Sequence, residues 1–550
     1  LLVADYAVPL SEAASLSLRL GAEAGVARYS MLDWYDARTP MPDNYRYLPS
    51  YTDDLETERA WLTRDPRYTQ IDWDELIRRN RMQGGHAVYA LDDRVERPVR
   101  LCLDAAFSVR TDSRLTLRCG VSLRSDRTRS YRQMRDLLGA GYVTDIDRYL
   151  VDDDTYSNLL QNDLRHPDRT IREGDRFGYD YAIRSREIRA RFCAEYRSDR
   201  FRFDLCAELG AAAVRRRGFY EKELFPGALS YGPSRTVRFA PWRLKALVGW
   251  SFSPRSYLEA AVMAGAEPPL SEALFYQPSY NNRIVDDPSP ERTFAAEASW
   301  RRTGPSLDMR ITAFAVAVFD GLETRRYYDD LAALFCDMSV AGIGRLCLGI
   351  EAAAEVRLSY RWSLALAASA GRYRHIRDPL LTVLSDVDNT AVLTHAAGRM
   401  AGCAVGGTPQ TAATAGVSYF GPKGWGGRLS AGYAGGRYVE PMPLRRTDRI
   451  AGQAALTPEA FDAFTRQERL ADAFTLDASL FRTFYFDRSR LTASLLLRNL
   501  TGGRDTVYNG YESLRVRRIR SGDATEWMPH ASRRTYAWPR SFYLTVSYRF

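Results

Sequence analysis

The side chains that most often do chemistry in enzymes and metal sites are few in this chain and are not grouped. The five histidines are His86, His166, His375, His395 and His530, and none is paired at a metal-ligand spacing. The seven cysteines, at positions 102, 119, 193, 206, 336, 347 and 403, form no CxxC pair and no disulfide framework. Nucleophile, phosphate-binding and zinc-protease motifs of the GxSxG, P-loop and HExxH types do not occur. The sequence therefore predicts no enzyme, no cofactor and no bound metal.

One acidic stretch could suggest calcium. Asp145 and Asp147 precede the run Asp152-Asp153-Asp154, and hard cations take clustered carboxylates. No EF-hand spacing follows, so the pattern favours a solvated acidic loop over a calcium site.

Aromatic residues concentrate in the first long polar segment and are the best candidates for contact with a ligand or partner. They are Trp34, Tyr45, Tyr47, Tyr51 and Trp73. Such rings bind peptides and sugars through an apolar body and a polar tip. Alternatively, they pack the loops into a lid or against a partner protein.

The last nine residues indicate what kind of element must carry these loops. From Phe542 to Phe550, apolar residues alternate strictly with Tyr543, Thr545, Ser547 and Arg549. This is the period of a β-strand between two environments, and about 9–11 tilted residues cross a bilayer. Aromatic residues flank the aliphatic ones, as in the girdles of a transmembrane barrel. Phe542, Tyr548 and Phe550 also resemble the C-terminal signal read by the outer-membrane barrel assembly machinery.

Short polar turns repeat along the chain between alternating strands. They lie near 9–12 and at 111–113, 198–200, 253–255, 303–305, 359–361, 421–423 and 487–489. Asp, Ser, Gly and Pro in such groups are typical turn residues. Between consecutive turns we expect two strands and one long connection, the plan of outer-membrane barrels with long extracellular loops.

This pattern predicts an all-β protein, a transmembrane antiparallel β-barrel. About sixteen strands follow Ala14, and Leu1–Val8 is expected to end one more, giving 16–17. Bacterial single-chain barrels have even strand numbers. We therefore expect the barrel to be incomplete here, with its opening strands and anything before them missing.

Length, charge and hydropathy fit this class. A chain of 550 residues is long for one soluble core, and no linker divides it. The net charge of +9 comes from arginines spread along the chain, which argues against a nucleic-acid patch. No apolar run is long enough for a transmembrane helix. Leu1–Asp5 does not resemble a signal peptide, although a barrel must be exported.

Local patterns give three finer expectations. Asp72–Ile77 is expected to form a short helix, and a second helix is expected to begin at Thr457-Pro458 and run to about Leu470. Cys193 and Cys206 are expected to lie opposite each other on neighbouring strands, as free thiols and with Cα atoms closer than about 7 Å.

Taken together, these stretches resemble the TonB-dependent receptors of the outer membrane, in the form found in Bacteroidota. The stretches that carry the resemblance are 33–51, 174–181, 407–410, 419–425, 438–446, 498–502 and 539–550. The resemblance implies a 22-stranded barrel around an N-terminal plug, with a TonB-interacting segment before it. Residues 1–550 would then be the barrel domain, with the plug and first strands absent.

The expected location is the cell outer membrane, with lipid around a multi-pass barrel. The first function hypothesis is a receptor that takes up a bulky nutrient such as a peptide, glycan or chelate, and engages TonB through a plug not present here. A surface lipoprotein is a possible partner. The second hypothesis is a structural barrel subunit of a larger outer-membrane complex, which transports nothing. The third is an autonomous porin.

Overall fold

In the part of the chain that the structure describes, seventeen antiparallel strands follow one another and pair in sequence order. The computed structural model describes residues 1–44, 47–52, 54–147, 160–453, 456–503, 506–521 and 524–550. The strands are β1 (Leu2–Pro9), β2 (Ala14–Ala24), β3 (Tyr89–Arg110), β4 (Leu115–Asp136), β5 (Arg176–Arg197), β6 (Phe201–Gly218), β7 (Trp242–Ser253), β8 (Ser256–Glu267), β9 (Glu291–Arg302), β10 (Leu307–Asp329), β11 (Leu334–Arg357), β12 (Trp362–His375), β13 (Thr411–Phe420), β14 (Trp425–Gly435), β15 (Ala473–Tyr485), β16 (Arg490–Arg498) and β17 (Ser541–Arg549). They form one wall of a transmembrane antiparallel β-barrel.

The predicted strand number and turns are confirmed. Sixteen wall strands follow Ala14, and β1 is the additional strand. Each of the eight predicted turns connects two wall strands that pair with each other, from β1–β2 to β15–β16. The connection between β10 and β11 differs from the expected long loop. Here the two strands themselves extend beyond the others, with 23 and 24 residues, and a short turn joins them.

The predicted lipid face is continuous from strand to strand. Phe542, Leu544 and Val546 of β17 pair with Leu497, Leu495 and Ala493 of β16. The same alternation places apolar residues on the outer surface of the other wall strands, and these side chains are exposed. For example, Leu123 is 44% exposed and Leu480 is 50% exposed. The apolar rows therefore do not meet in a dry core, as they would in a two-layer soluble sandwich.

Aromatic rings form a band at each end of this apolar face. Toward the short turns, the ring of Phe201 stacks on Trp250 at 6.4 Å, and Trp362 lies 4.7 Å from Tyr419. Toward the long loops, Tyr433 lies 4.9 Å from Phe474. Amphipathic rings prefer the two membrane–water interfaces, so the two bands mark the edges of the lipid zone.

The opposite face of the wall carries paired charges, as a hydrated lumen allows. Arg189 of β5 donates to Glu267 of β8 with Nη1–Oε1 3.0 Å, and Arg243 of β7 donates to the same carboxylate at 2.6 Å. These residues alternate with the apolar ones, so the two faces of each strand meet different environments.

Further elements lie in the loops. The helices are α1 (Pro49–Thr52), α2 (Leu55–Thr63), α3 (Pro66–Thr69), α4 (Trp73–Met82), α5 (Asp448–Gln453) and α6 (Pro458–Thr465), and the 3₁₀ turns are Gly227–Leu229, Pro422–Gly424 and Pro443–Arg446. Five short strands extend the main sheet: Ala27–Trp34, Gly232–Pro233, Val237–Phe239, Leu380–Ser385 and Ala391–Ala397. Four two-stranded sheets pair Val143–Thr144 with Thr170–Ile171, Arg437–Tyr438 with Arg469–Leu470, Val507–Tyr511 with Arg533–Tyr536, and Val516–Ser521 with Ala524–Pro529. No helix in the described part of the chain is long and apolar enough to cross a membrane.

The two helix predictions had different outcomes. The helix predicted at Asp72 is confirmed as α4, and the Asp72 carboxylate caps it by accepting from the Glu75 N–H at 3.0 Å. The second helix also begins as predicted, with the Thr457 hydroxyl accepting from Ala460 N–H at 3.2 Å. Its predicted end near Leu470 is wrong, because α6 stops at Thr465 and Leu470 pairs with Arg437 in a small sheet.

The register between β5 and β6 is confirmed, but the prediction of free thiols is wrong. Cys193 pairs with Cys206 with their Cα atoms 4.1 Å apart, and the two sulfurs form a disulfide. Direct opposition on adjacent strands brings the Cβ atoms close enough for a bond. The other five cysteines are free.

Candidate functional site

The long loops enclose a cavity of about 1320 Å³ at the end of the barrel opposite the short turns. Its lining comes from three places: residues between 34 and 47, residues between 325 and 335 at the tip of the β10–β11 hairpin, and residues between 442 and 533. We call this cavity the vestibule. The side chains that form it are far apart in sequence, so its shape depends on how the loops are held together.

The first side of the vestibule is built around Tyr47. Its ring lies under the guanidinium of Arg38 at 4.1 Å, a cation–π distance, and its hydroxyl donates to the Thr39 carbonyl at 3.2 Å. The Tyr89 hydroxyl of β3 donates to the Arg38 carbonyl at 3.0 Å. The loop is therefore tied both to itself and to the wall.

Trp34 stands on the same side, at the end of the strand Ala27–Trp34. The neighbouring Asp33 accepts from Arg132 Nη2 of β4 at 2.9 Å, and Arg132 Nε donates to the buried carboxylate of Asp92 at 2.6 Å. Arg132 therefore joins the end of this short strand to β3 and β4. This bridge fixes the height at which Trp34 enters the vestibule.

The hairpin side carries aromatic rings and a bidentate ion pair. Tyr328 and Phe335 meet edge to face with ring centroids 5.2 Å apart. Arg515 reaches across from a different loop and binds Asp330, with Nη2–Oδ1 2.7 Å and Nε–Oδ2 2.8 Å. Its guanidinium also lies 4.8 Å from the Tyr328 ring. Paired N–H donors aimed at both carboxylate oxygens are the most specific form of this contact.

The third side rests on a buried ion pair. Arg446 and Glu512 are each 2% exposed at the side chain, and Arg446 Nη2 donates to Glu512 Oε1 at 2.7 Å. Glu512 Oε2 also accepts from the N–H of Met442, a vestibule residue, at 2.9 Å. Burial lowers the pKa of Arg446, but pairing with Glu512 outweighs it and holds this pKa above its usual value. This side of the vestibule is thus anchored by a charge pair that excludes water.

The charged residues that line the vestibule are mostly positive. They are Arg38, Arg325, Arg326, Arg515 and Arg533, with Asp330 as the acidic member. Three of these arginines have carboxylate partners, since Arg325 donates to Glu323 at 2.8 Å, Arg515 binds Asp330, and Arg326 binds Asp386. Among the described residues, no carboxylate forms an ion pair with Arg38 or Arg533. Six of the described residues in the lining are aromatic, so the surface suits a ligand with an apolar or planar body and polar or anionic groups.

The structure brings together two of the five aromatic residues predicted from the sequence. Trp34 and Tyr47 line the vestibule. Trp73 is the first residue of α4, 43% exposed, and is not among the lining residues. Tyr51 lies on α1, and Tyr45 lies outside the described residues.

Most of the vestibule was not found from the sequence. The hairpin tip carries Arg325-Arg326-Tyr327-Tyr328, followed by Asp329 and Asp330. Such a dense mixture of rings and charges could have been recognised as a candidate surface. The residues around Arg515 and Glu512 in the sequence contain no pattern that predicts their contacts with Asp330 and Arg446.

The acidic stretch supports no calcium site in the part that the structure describes. Asp152, Asp153 and Asp154 lie outside the described residues. Asp145 is already satisfied by Arg169 at 2.6 Å, Asn162 at 3.0 Å and the Gly178 N–H at 2.8 Å. Within the described residues, no group of three or more His, Cys, Asp or Glu side chains could hold a metal ion.

No family model and no curated protein matches the sequence, whereas solved structures match it over almost its full length. The copper transporter OprC matches with a TM-score of 0.56 at 12% identity, over 99% of this chain and 64% of that chain. The siderophore receptor PiuA from Acinetobacter baumannii matches with a TM-score of 0.56 at 11% identity, over 99% of this chain and 63% of that chain. The ferric-catecholate import receptor Fiu from E. coli K12 matches with a TM-score of 0.52 at 12% identity, over 99% of this chain and 63% of that chain.

All three proteins are transporters or receptors. The chain shares their barrel fold. It spans less than two thirds of the length of OprC, PiuA and Fiu.

Proposed function

We propose that the chain is the barrel of an outer-membrane receptor that takes up a bulky nutrient, such as a peptide, a glycan or a chelate. The observation that carries the proposal is the vestibule. A cavity of about 1320 Å³ lined by rings and arginines lies among the loops at one end of a lipid-spanning wall. A simple diffusion pore needs no such collection of tied, aromatic loops above it.

The proposal extends to how the ligand is held. Trp34 and Tyr47 would contact its apolar part, and the arginines would contact its polar or anionic groups. Tyr45, Tyr51 and Trp73 remain predicted contacts on the same loop. Energy coupling through TonB and a plug, and a surface lipoprotein partner, belong to the same proposal.

Phe542, Tyr548 and Phe550 support the outer-membrane location. Phe542 and Tyr548 lie on the apolar face of the last strand, Phe550 directly follows it, and all three are exposed. We propose that they form the assembly signal, which the barrel assembly machinery would meet before the strand is inserted into the membrane.

The test is uptake by cells that produce the full-length protein, compared with cells that lack it. Labelled peptide, glycan and metal-chelate pools are supplied at low concentration, with and without a protonophore. The proposal expects saturable uptake of one pool that the protonophore abolishes. Uptake that rises linearly with concentration and ignores the protonophore would instead identify a porin. Absence of uptake together with stable co-purifying partners would identify a structural subunit.

Variants then connect uptake to the vestibule. Trp34→Ala or Tyr47→Ala should each raise the half-saturation concentration by roughly tenfold, because a ring contact contributes up to about 1.5 kcal/mol beyond area burial. Tyr360→Ala is the matched control, since Tyr360 is an aromatic residue exposed in the turn at the opposite end. Equal effects of all three variants would show that uptake does not depend on the vestibule.

A further inference from the structure

A patch of arginines lies on the outside of the barrel, on the side opposite the lumen. It consists of Arg127 on β4, Arg184 and Arg186 on β5, Arg215 and Arg217 on β6, and Arg238 on the short strand Val237–Phe239. We call it the outer arginine patch. Arg127 pairs directly with Arg184, and Arg184 pairs directly with Arg215, so three guanidinium groups stand side by side on adjacent strands.

The residues between these arginines show which way the patch faces. Ile183, Val214 and Phe239 alternate with the patch residues along their strands and are buried. They pack against Leu274 and Phe275, which come from the loop that fills the inside of the wall at this height. Since side chains alternate across a strand, the arginines point to the outside. All six are exposed.

The patch begins where the apolar face ends. Leu103, Leu123, Ile188 and Ala211 pair across β3, β4, β5 and β6 and form the last fully apolar row on the loop side. Arg186 lies one outward-facing position beyond Ile188, and Arg184 lies one position further. Each such step is about 6.6 Å along the strand. The patch is therefore at the height of lipid headgroups on the loop side of the bilayer.

The patch has no counter-charge among the residues that the structure describes. Among the described residues, no carboxylate forms an ion pair with any of the six arginines. The nearest acidic position on β5, Glu187, faces the lumen, where it binds Arg189. Asp180 lies on the same outer face but closer to the loops, and its carboxylate already binds Arg129 at 2.7 Å and Arg176 at 3.2 Å. Like charges placed directly opposite on adjacent strands destabilise a sheet, so this arrangement calls for an external anion.

An apolar groove lies directly beneath the charges. It has a volume of about 630 Å³ and is lined by Leu101, Leu103, Leu123 and Ile188, with Arg186 and Arg238 also in its lining. A groove that is apolar at its base and cationic at its upper edge is complementary to a molecule with an acyl chain and an anionic head.

We propose that the outer arginine patch binds a phosphate-bearing lipid of the outer leaflet, with its phosphate on the arginines and an acyl chain in the groove. Guanidinium groups bind phosphate oxygens through paired N–H donors and carry little hydration to lose. The proposal rests on the outer-membrane location but not on nutrient uptake.

The outward-facing arginines on β9 and β12 do not form a comparable patch. Arg292 on β9 donates to Asp320 at 2.5 Å and is neutralised within the protein. Arg372 and Arg374 on β12 are exposed on the outer face but have no arginine directly opposite on β11. They provide the matched control for a test.

The test uses the full-length protein, purified from outer membranes in mild detergent and stripped of lipid. Binding is measured by native mass spectrometry and by titration with three probes: a bis-phosphorylated lipid A, the same lipid without phosphates, and inorganic phosphate. The variants are Arg184→Gln with Arg215→Gln, and, as control, Arg372→Gln with Arg374→Gln.

Support requires saturable binding of the phosphorylated lipid to the wild type and the control. The patch variant should bind it roughly tenfold more weakly or worse, because two charged donors are lost. The dephosphorylated lipid should bind weakly, and inorganic phosphate should not compete at millimolar concentration. Equal lipid affinity in all three proteins would overturn the proposal. Competition by inorganic phosphate would also overturn it, by showing that the patch takes a free anion. Neither result bears on uptake.

Discussion

At the scale of single residues, Lys222 shows how the loops hold a charge out of water. It lies in the loop after β6, is 4% exposed, and donates to Asn162 Oδ1 at 2.5 Å and to the Gly178 carbonyl. Its ammonium also lies 4.7 Å from the Tyr280 ring. Burial lowers the pKa of Lys222 to about 8, because desolvation disfavours the charged form.

This pKa predicts a pH dependence for the stability of the loop. The unfolded lysine titrates near 10.5, so between pH 8 and about 10 the open loop binds more protons than the closed one. Stability therefore rises with pH in this window. Above pH 10 the nearby Tyr220 has the opposite effect on stability. Burial raises the pKa of its hydroxyl to about 12, so this tyrosine loses its proton at a lower pH in the open loop than in the closed one.

The measurement is hydrogen exchange of residues 219–231 in the wild type and in Lys222→Met, compared at the same pH values so that intrinsic exchange cancels. We expect the protection of the wild type to increase relative to the variant from pH 8 to 10. Parallel curves for the two proteins over this range would show that Lys222 does not carry the effect.

At the scale of elements, the local and the distant parts of the fold differ in how far they could be predicted. The eight turns were predictable because Asp, Ser, Gly and Pro determine the backbone within a few residues. The strands and their two faces followed from strict alternation. The sides of the vestibule did not, because Arg515 and Asp330 are 185 residues apart. The early end of α6 has the same cause, since Leu470 pairs with Arg437 rather than continuing the helix.

The tip of the β10–β11 hairpin provides the prediction at this scale. Asp330→Asn removes the charge that Arg515 binds through two donors. Because Arg515 is about a third exposed, we expect a modest loss of about 1 kcal/mol in the stability of the hairpin tip. Hydrogen exchange of residues 325–335 and 511–516 should increase together, since each segment is held by the other.

Asp308→Asn is the control on the same strand. Asp308 lies near the opposite end of β10, and its contact with Arg357 is 4.0 Å long and exposed. This variant should leave exchange at the hairpin tip unchanged. If Asp330→Asn loosens only residues 325–335, the ion pair does not join the two sides of the vestibule.

At the scale of the whole molecule, the membrane assignment depends on which face of the wall meets lipid. Two adjacent alanines on β12 point to opposite faces of the wall, so the same substitution can be made on each face. Ala368 lies on the outer face and pairs with Ala352 and Ala413, whereas Ala367 faces the lumen and pairs with Ala353 and Thr414. Both lie midway between Trp362 near the turns and Arg372 near the loops. Ala367 borders an open groove of about 580 Å³, with room for a longer side chain.

Ala368→Arg should therefore destabilise the protein in membranes, whereas Ala367→Arg should be tolerated. An arginine on the lipid face near the bilayer midplane costs about 2–4 kcal/mol, while a lumen-facing arginine remains hydrated. The measurement is the free energy of unfolding in lipid vesicles by urea titration, together with the amount of each variant assembled in outer membranes. The two substitutions add the same atoms to neighbouring positions, so general crowding affects both and only the face differs. Equal losses would mean that the outer face is not in lipid, and a larger loss for Ala367→Arg would place the membrane on the other side of the wall.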